Sequence, residues 1–207
     1  MSSTLNKQPI LRFVIVQNCN VLIRYHNFLK STLDEKIHEI ERMIEDESDH
    51  KKEINLRSLH HEASNCYKSQ LVGTCLLQLM AHIEESLFHI HKSMVRSIDV
   101  SKGSSIERYK EVISFVTGIN IGLIPEWGIL LEAERIRHCL IHCDGRIQLF
   151  NRSNMKKKLF AFIDKHPDLL TIELDRLMLQ HELLKYFVDN WILLLKKLLP
   201  DAQYLAK

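Results

Sequence analysis

The sequence predicts an all-α fold, a single helical bundle with long amphipathic helices, in which one short extended hairpin near 147–177 finds room. Three observations point there. Only six glycines and four prolines punctuate 207 residues, so long unbroken elements are expected. The richness in Leu, Lys, Glu and Ile favours helices over strands. Apolar residues also recur at three- and four-residue steps through several long stretches. An apolar fraction of 45% is ample for one packed core, and the chain reads as one domain over 1–207.

From Pro9 to about Asp49, Leu22, Tyr25, Leu29, Leu33, Ile37, Ile40 and Ile44 mark one long amphipathic helix, its second half heavily charged. Such a helix packs on the core of its own chain or on a partner. The charged run at 46–53 reads as a solvated bend. A second long helix is expected from about Ser58 to Arg96, with Leu71, Cys75, Leu79, His82, Ile83, Ser86, Leu87 and Ile90 on one stripe. Gly73 within it marks close approach of another element. Its histidines read as structural, His89 pairing with Glu85 one turn before. Asp99 to Ser105 reads as a loop, and Ser104 with Glu107 has capping-box spacing for a helix through Val116, closed by Gly118 and Gly122.

Pro125 suits the first turn of the next helix, since its missing N–H is not needed there. Gly145 fits the left-handed position past its end, giving a helix of about 18 residues. Ile147 to Phe150 is too short for more than an extended connector. A short helix follows from about Asn154 to Lys165. Leu170 to Leu177 alternates and has the pattern to pair with 147–150. The last helix runs from about Gln180 to Leu199, carries Leu183, Leu184, Phe187, Trp191, Leu194, Leu195 and Leu198, and ends at Pro200.

The net charge of +2 is too small to announce a nucleic-acid binder, but its distribution is uneven. Residues 34–53 carry nine acidic and four basic side chains. Residues 135–158 hold Arg135, Arg137, Arg146, Arg152, Lys156, Lys157 and Lys158 against the single acid Asp144, an excess that would attract a polyanion. A plain solvated face is the alternative for the three lysines. Five cysteines, an odd number without framework spacing, argue for a reducing compartment. With no signal architecture and no apolar run near the roughly 18 residues of a spanning helix, a cytoplasmic protein without membrane contact is expected.

The chemistry concentrates in Glu132 to Arg146. Glu134, His138 and His142 are spaced by four and stack along one helical face, a spacing able to hold zinc. No second ligand set accompanies them, and no cofactor is expected. Arg137 and His142 lie about 140° apart on a regular helix, so backbone position alone does not bring them side by side. A long arginine swinging toward a groove, or a second copy of the helix packed antiparallel, would. The pair is suited to cleaving RNA. A histidine near neutral pKa takes the proton of a ribose 2′-hydroxyl or returns one to the leaving oxygen, and a guanidinium holds the extra charge on phosphorus. An ion-pairing arginine beside a core histidine is the structural alternative.

These residues carry a resemblance. Arg137-His-Cys-Leu-Ile-His142, followed by Cys-Asp-Gly145, resembles the Arg-x4-6-His signature of the HEPN family of helical-bundle ribonucleases, and the likeness covers roughly residues 66–199. It implies a helical bundle acting as a homodimer, with the signature helices facing each other across a cleft. The implied activity is metal-independent endoribonuclease action on single-stranded or loop RNA, in a toxin or antiviral effector with a neutralising or regulatory protein partner. Arg137 and His142 would be the catalytic pair and His138 would stand at the polar site after the arginine, where asparagine is frequent. Its role stays open between orienting the phosphate, proton transfer and packing. Arg135, Arg146, Lys156 and Lys157 would bind the substrate. Some members of the family have lost catalysis, which leaves a dimerisation or RNA-binding module as the alternative.

Overall fold

Helix α1 (Gln8–Asp46) runs 39 residues, about 58 Å at the usual helical rise. The structure, a computed structural model, describes residues 8–94 and 106–199. Only the first half of α1 is seated on the core, through Ile15, Cys19 and His26, each at most 3% exposed. Helix α2 (His50–His61) folds back along its second half after a break of three residues, 47–49. The turn is shorter than the 46–53 bend predicted. Asp49 caps α2 by accepting from the N–H groups of Lys51 and Lys52, and Glu53 pairs with Arg57 at 2.8 Å, so this charged stretch stays helical without burying anything. The ion pair Glu41–His60 (2.9 Å) clips the two antiparallel helices into an arm, and Asp34–Lys68 (2.8 Å) ties α1 to the helix that follows the arm.

The second long helix therefore starts at His50 rather than near Ser58. It continues through one π turn (Glu62–Tyr67) into α3 (Lys68–Met94), without a break in helical backbone. The predicted end at Arg96, the 99–105 loop and the Ser104 cap lie outside the described residues. Helix α3 is the centre of the bundle: Val72, Cys75, Leu76, Leu79, Met80, Ile83, Leu87 and Ile90 are all at most 2% exposed. Gly73 faces Leu140 and Leu179, so the predicted close approach is that of a second helix and a strand together. His82 is held against the Ile15 carbonyl at 3.2 Å, and His89 is exposed beside Glu85 at 3.8 Å.

A 3₁₀ turn (Glu107–Tyr109) leads into α4 (Lys110–Thr117), which Gly118 ends at φ +69°. Helix α5 (Pro125–Cys143) starts with its proline at the first position, after an extended Ile124. It packs on α3 and on the last helix, burying Trp127, Leu130, Ala133, Ile136, Cys139 and Cys143. Helix α6 (Ser153–Lys165) lies alongside. Strands β1 (Leu170–Glu173) and β2 (Arg176–Leu179) form an antiparallel hairpin. Helix α7 (Glu182–Leu198) closes the bundle with its predicted apolar stripe buried. Pro200 lies outside the described residues.

The pairing expected between 147–150 and 170–177 is not formed. The chain reverses at Leu174 and Asp175, with φ of +46° and +69°, and a two-residue reversal of that hand makes the strand pair with its own continuation. Residues 146–148 meet the hairpin at its tip, through a single bridge between Arg146 and Arg176 and the N–H groups of Ile147 and Gln148, both 2.9 Å from oxygens of Asp175. The architecture is all-α with that one short hairpin. Among the described residues, no helix is long and apolar enough to cross a membrane.

Candidate active site

The last two turns of α5 bury one side and leave the other open. Ala133, Ile136, Cys139 and Cys143 face the core, so Glu134, Arg137, His138, Ile141 and His142 must occupy the opposite half of the cylinder. On that half Arg137 and His142 mark the two edges, about 140° apart, with Ile141, Glu134 and His138 between them. Ile141 is 50% exposed, His142 is exposed, and Arg137 and His138 are half-buried. One face of one helix end thus carries a guanidinium, two imidazoles and an uncovered aliphatic side chain.

The His138 and His142 rings touch, with centroids 4.3 Å apart and planes tilted by 48°. Phe150, from the connector after α5, packs on the other side of His138 at 5.8 Å. Burial lowers the His138 pKa, and the positive fields of Arg152, His142 and Arg137 push it the same way. This imidazole is therefore neutral at pH 7, with one nitrogen free to accept a proton and the other to donate.

The helix ends in two left-handed residues rather than one. Asp144 (φ +51°) and Gly145 (φ +71°) both turn, and the Gly145 N–H reaches back to the Cys139 carbonyl at 3.2 Å. An aspartate holds that conformation here because Arg176, on β2, pairs with its carboxylate at 2.8 Å and donates to its carbonyl at 3.1 Å. The hairpin therefore clamps the helix end that carries His142. Arg176, Arg152 and Phe150 all shape this end without having been assigned to it. Arg152 was visible as part of the basic run, whereas nothing in the local sequence links Arg176 to Asp144.

The predicted substrate-binding residues do not gather at one point. Arg146 is exposed just past the helix end, Lys157 is exposed on α6, and Lys156 is half-buried there, where its charge partly offsets the burial that raises the Cys139 thiol to about 12. Arg135 is turned away, in an ion pair with Glu132 on the side of α5 that faces α6. No group of three or more His, Cys, Asp or Glu side chains able to hold a metal ion occurs among the described residues, so Glu134, His138 and His142 do not converge as ligands. The cysteines are all free, Cys66 exposed and the other four buried.

Protein-family models, curated proteins and solved structures were each compared with the chain, and none matches.

Proposed function

We propose that the chain is a HEPN-type endoribonuclease that cleaves single-stranded or loop RNA without a metal ion, as a homodimer whose two α5 ends face each other. The observation that carries this reading is the open half of α5, where Arg137, His138 and His142 share one solvent face at a helix end beside Arg146, Arg152 and the α6 lysines. His142 takes the 2′-hydroxyl proton or returns one to the leaving oxygen. Arg137 holds the charge that builds on the phosphorus. His138, neutral and pressed between His142 and Phe150, keeps its neighbour's ring in place and offers a hydrogen bond to the phosphate.

The exposed Ile141 lies between the two edge residues, and a second copy of the same face would cover it while completing the cleft. Loops and single strands are favoured because their backbone reaches the in-line geometry that a duplex resists. Such an enzyme fits a toxin or antiviral effector, and the acidic arm of α1 and α2 offers a surface to a neutralising partner.

The test is cleavage of a labelled unstructured RNA by purified protein in chelator. Cleavage to 2′,3′-cyclic ends is expected, with a loss of at least about a hundredfold in His142→Ala and in Arg137→Ala. No cleavage in chelator, or full activity of His142→Ala, overturns the catalytic reading. RNA bound without turnover would instead identify a binding module. A monomeric mass by light scattering at working concentration would rule out a shared cleft.

A further inference from the structure

Over its first half, helix α1 is apolar on two opposite faces. Ile15, Cys19 and His26 are buried against the core, and Ile10, Phe13, Val14, Val21, Tyr25 and Phe28 lie on the far side, all within about 60° of the Ile10 direction. Those six side chains are between 47% and 69% exposed. With roughly 150–250 Å² on each aromatic ring and somewhat less on an aliphatic chain, they bare about 700 Å² in one continuous strip. A monomer rarely shows a contiguous apolar patch beyond a few hundred Å², and a helix that is apolar on every side is one that is covered on every side. Only Gln17 and Arg24 interrupt the strip with polar groups.

We infer that this strip is a two-fold contact between two copies of the chain, α1 packed antiparallel on α1 with the axis level with residue 19. Two such strips bury about 1,400 Å², the size of a stable protein interface. The residue sizes are symmetric about that level: Ile10 and Phe13 of one copy meet Phe28 and Tyr25 of the other, while the smaller Val14 and Val21 at the centre let the helices approach. The two Gln17 side chains fall about 6 Å apart along the axis, within reach of each other's amides, so a polar residue in an apolar seam fixes this register. Charge selects the antiparallel sense. Residues 34–46 carry six acids against Lys36 and Arg42, and antiparallel pairing sends these two stretches to opposite ends, where a parallel pair would lay them side by side. The two Arg24 side chains stand about 15 Å apart along the axis, beyond the screening length of about 8 Å at physiological salt. A lipid surface fits the strip less well, because an anionic membrane is held by several cations and this face offers Arg24 alone.

This contact is separate from a cleft between α5 ends. Gly73 of α3 faces Leu140 of α5, and His82, two and a half turns further along α3, meets the Ile15 carbonyl of α1. Helices α1 and α5 therefore flank α3 on opposite sides, and pairing through α1 leaves the open half of α5 uncovered. A chain that pairs through both faces assembles as a tetramer. One that pairs through α1 alone is a dimer, whatever it does to RNA.

Light scattering of the full chain carrying Ile141→Glu, which removes pairing through the α5 end, isolates the contact. A dimer is expected, and adding Phe13→Glu and Phe28→Glu should weaken self-association at least a hundredfold and give a monomer with unchanged helical circular dichroism. Val14→Cys and Arg24→Cys chains, each with the exposed Cys66 changed to Ser, test the orientation. Val14 of one copy faces Arg24 of the other, so disulfide-linked dimers should form in the mixture and not in either chain alone. A monomeric Ile141→Glu chain, a dimer that survives in the folded triple variant, or disulfides formed as readily by each chain alone overturns the inference. A monomer that sediments with phosphatidylserine vesicles, and no longer does so with Phe28→Glu, overturns it in favour of a lipid surface. A wild-type dimer that Ile141→Glu leaves intact and the α1 changes dissolve upholds the contact and defeats the shared α5 cleft, whereas a wild-type tetramer halved by either set of changes upholds both.

Discussion

His26 and His138 both sit where a proton is unwelcome. His26, on the core side of α1, is 3% exposed, and burial lowers its pKa, helped by His181 and Lys30 and opposed by a hydrogen bond that the ring donates to Asn27. Below about pH 6.5, the ordinary histidine value, the unfolded chain takes up protons that these two sites refuse. Stability is therefore full above that pH and is lost as the pH falls toward the lower folded pKa values. The thermal midpoint should drop between about pH 7 and about pH 5, and His26→Gln should flatten that slope measurably. An unchanged slope in the variant would show that His26 does not drive it. The contact of His138 with His142 was readable from their four-residue spacing, because a helix stacks such residues by itself. The presence of Phe150 and Arg152 beside them was not, because a non-helical connector brings them there and its path follows no local rule.

Helix α5 shows how far a single element can be read in advance. Pro125 at its start follows from a missing N–H and the glycine at its end from a left-handed turn, and both features stand as expected. That Asp144 shares the left-handed stretch follows from its partner Arg176, which belongs to a different element. Two glycines make the argument measurable. A Cβ on Gly73 would lie 3.6 Å from the δ-carbons of Leu140 and Leu179, ordinary contact, so Gly73→Ala should stabilise by about 1 kcal/mol and raise the melting temperature by about 2–4 °C. Gly145→Ala, at φ +71°, should cost about 1–2 kcal/mol. Calorimetric melting of both variants checks the pair of signs, and a stable Gly145→Ala would mean that the helix end does not need the turn. The 147–150 connector shows the opposite limit. Its extended pattern was real, yet the reversal at Leu174 and Asp175 gave the other strand a partner closer in sequence.

At the scale of the whole molecule, charge is sorted by element: the α1–α2 arm carries the acidic run, and the end of α5 together with α6 carries the basic one. If that basic side holds single-stranded RNA, affinity measured in the His142→Ala variant should fall linearly with salt on logarithmic axes, by a slope of about 0.7 for each phosphate contacted. Lys156→Gln and Lys157→Gln should each reduce the slope by about that amount, while Arg57→Gln on the arm should leave it alone. A slope that ignores Lys157 would remove α6 from the binding face. The helical class, the amphipathic faces and the contact of His138 with His142 were determined by the chain's own order, because apolar periodicity and helical spacing act within a few residues. Docking of the elements alone brought Arg176 to Asp144, set Phe150 against His138, and turned Glu132 and Arg135 toward Tyr186. Those contacts join residues far apart in sequence, and packing of the buried faces, not any local preference, decides which of them meet.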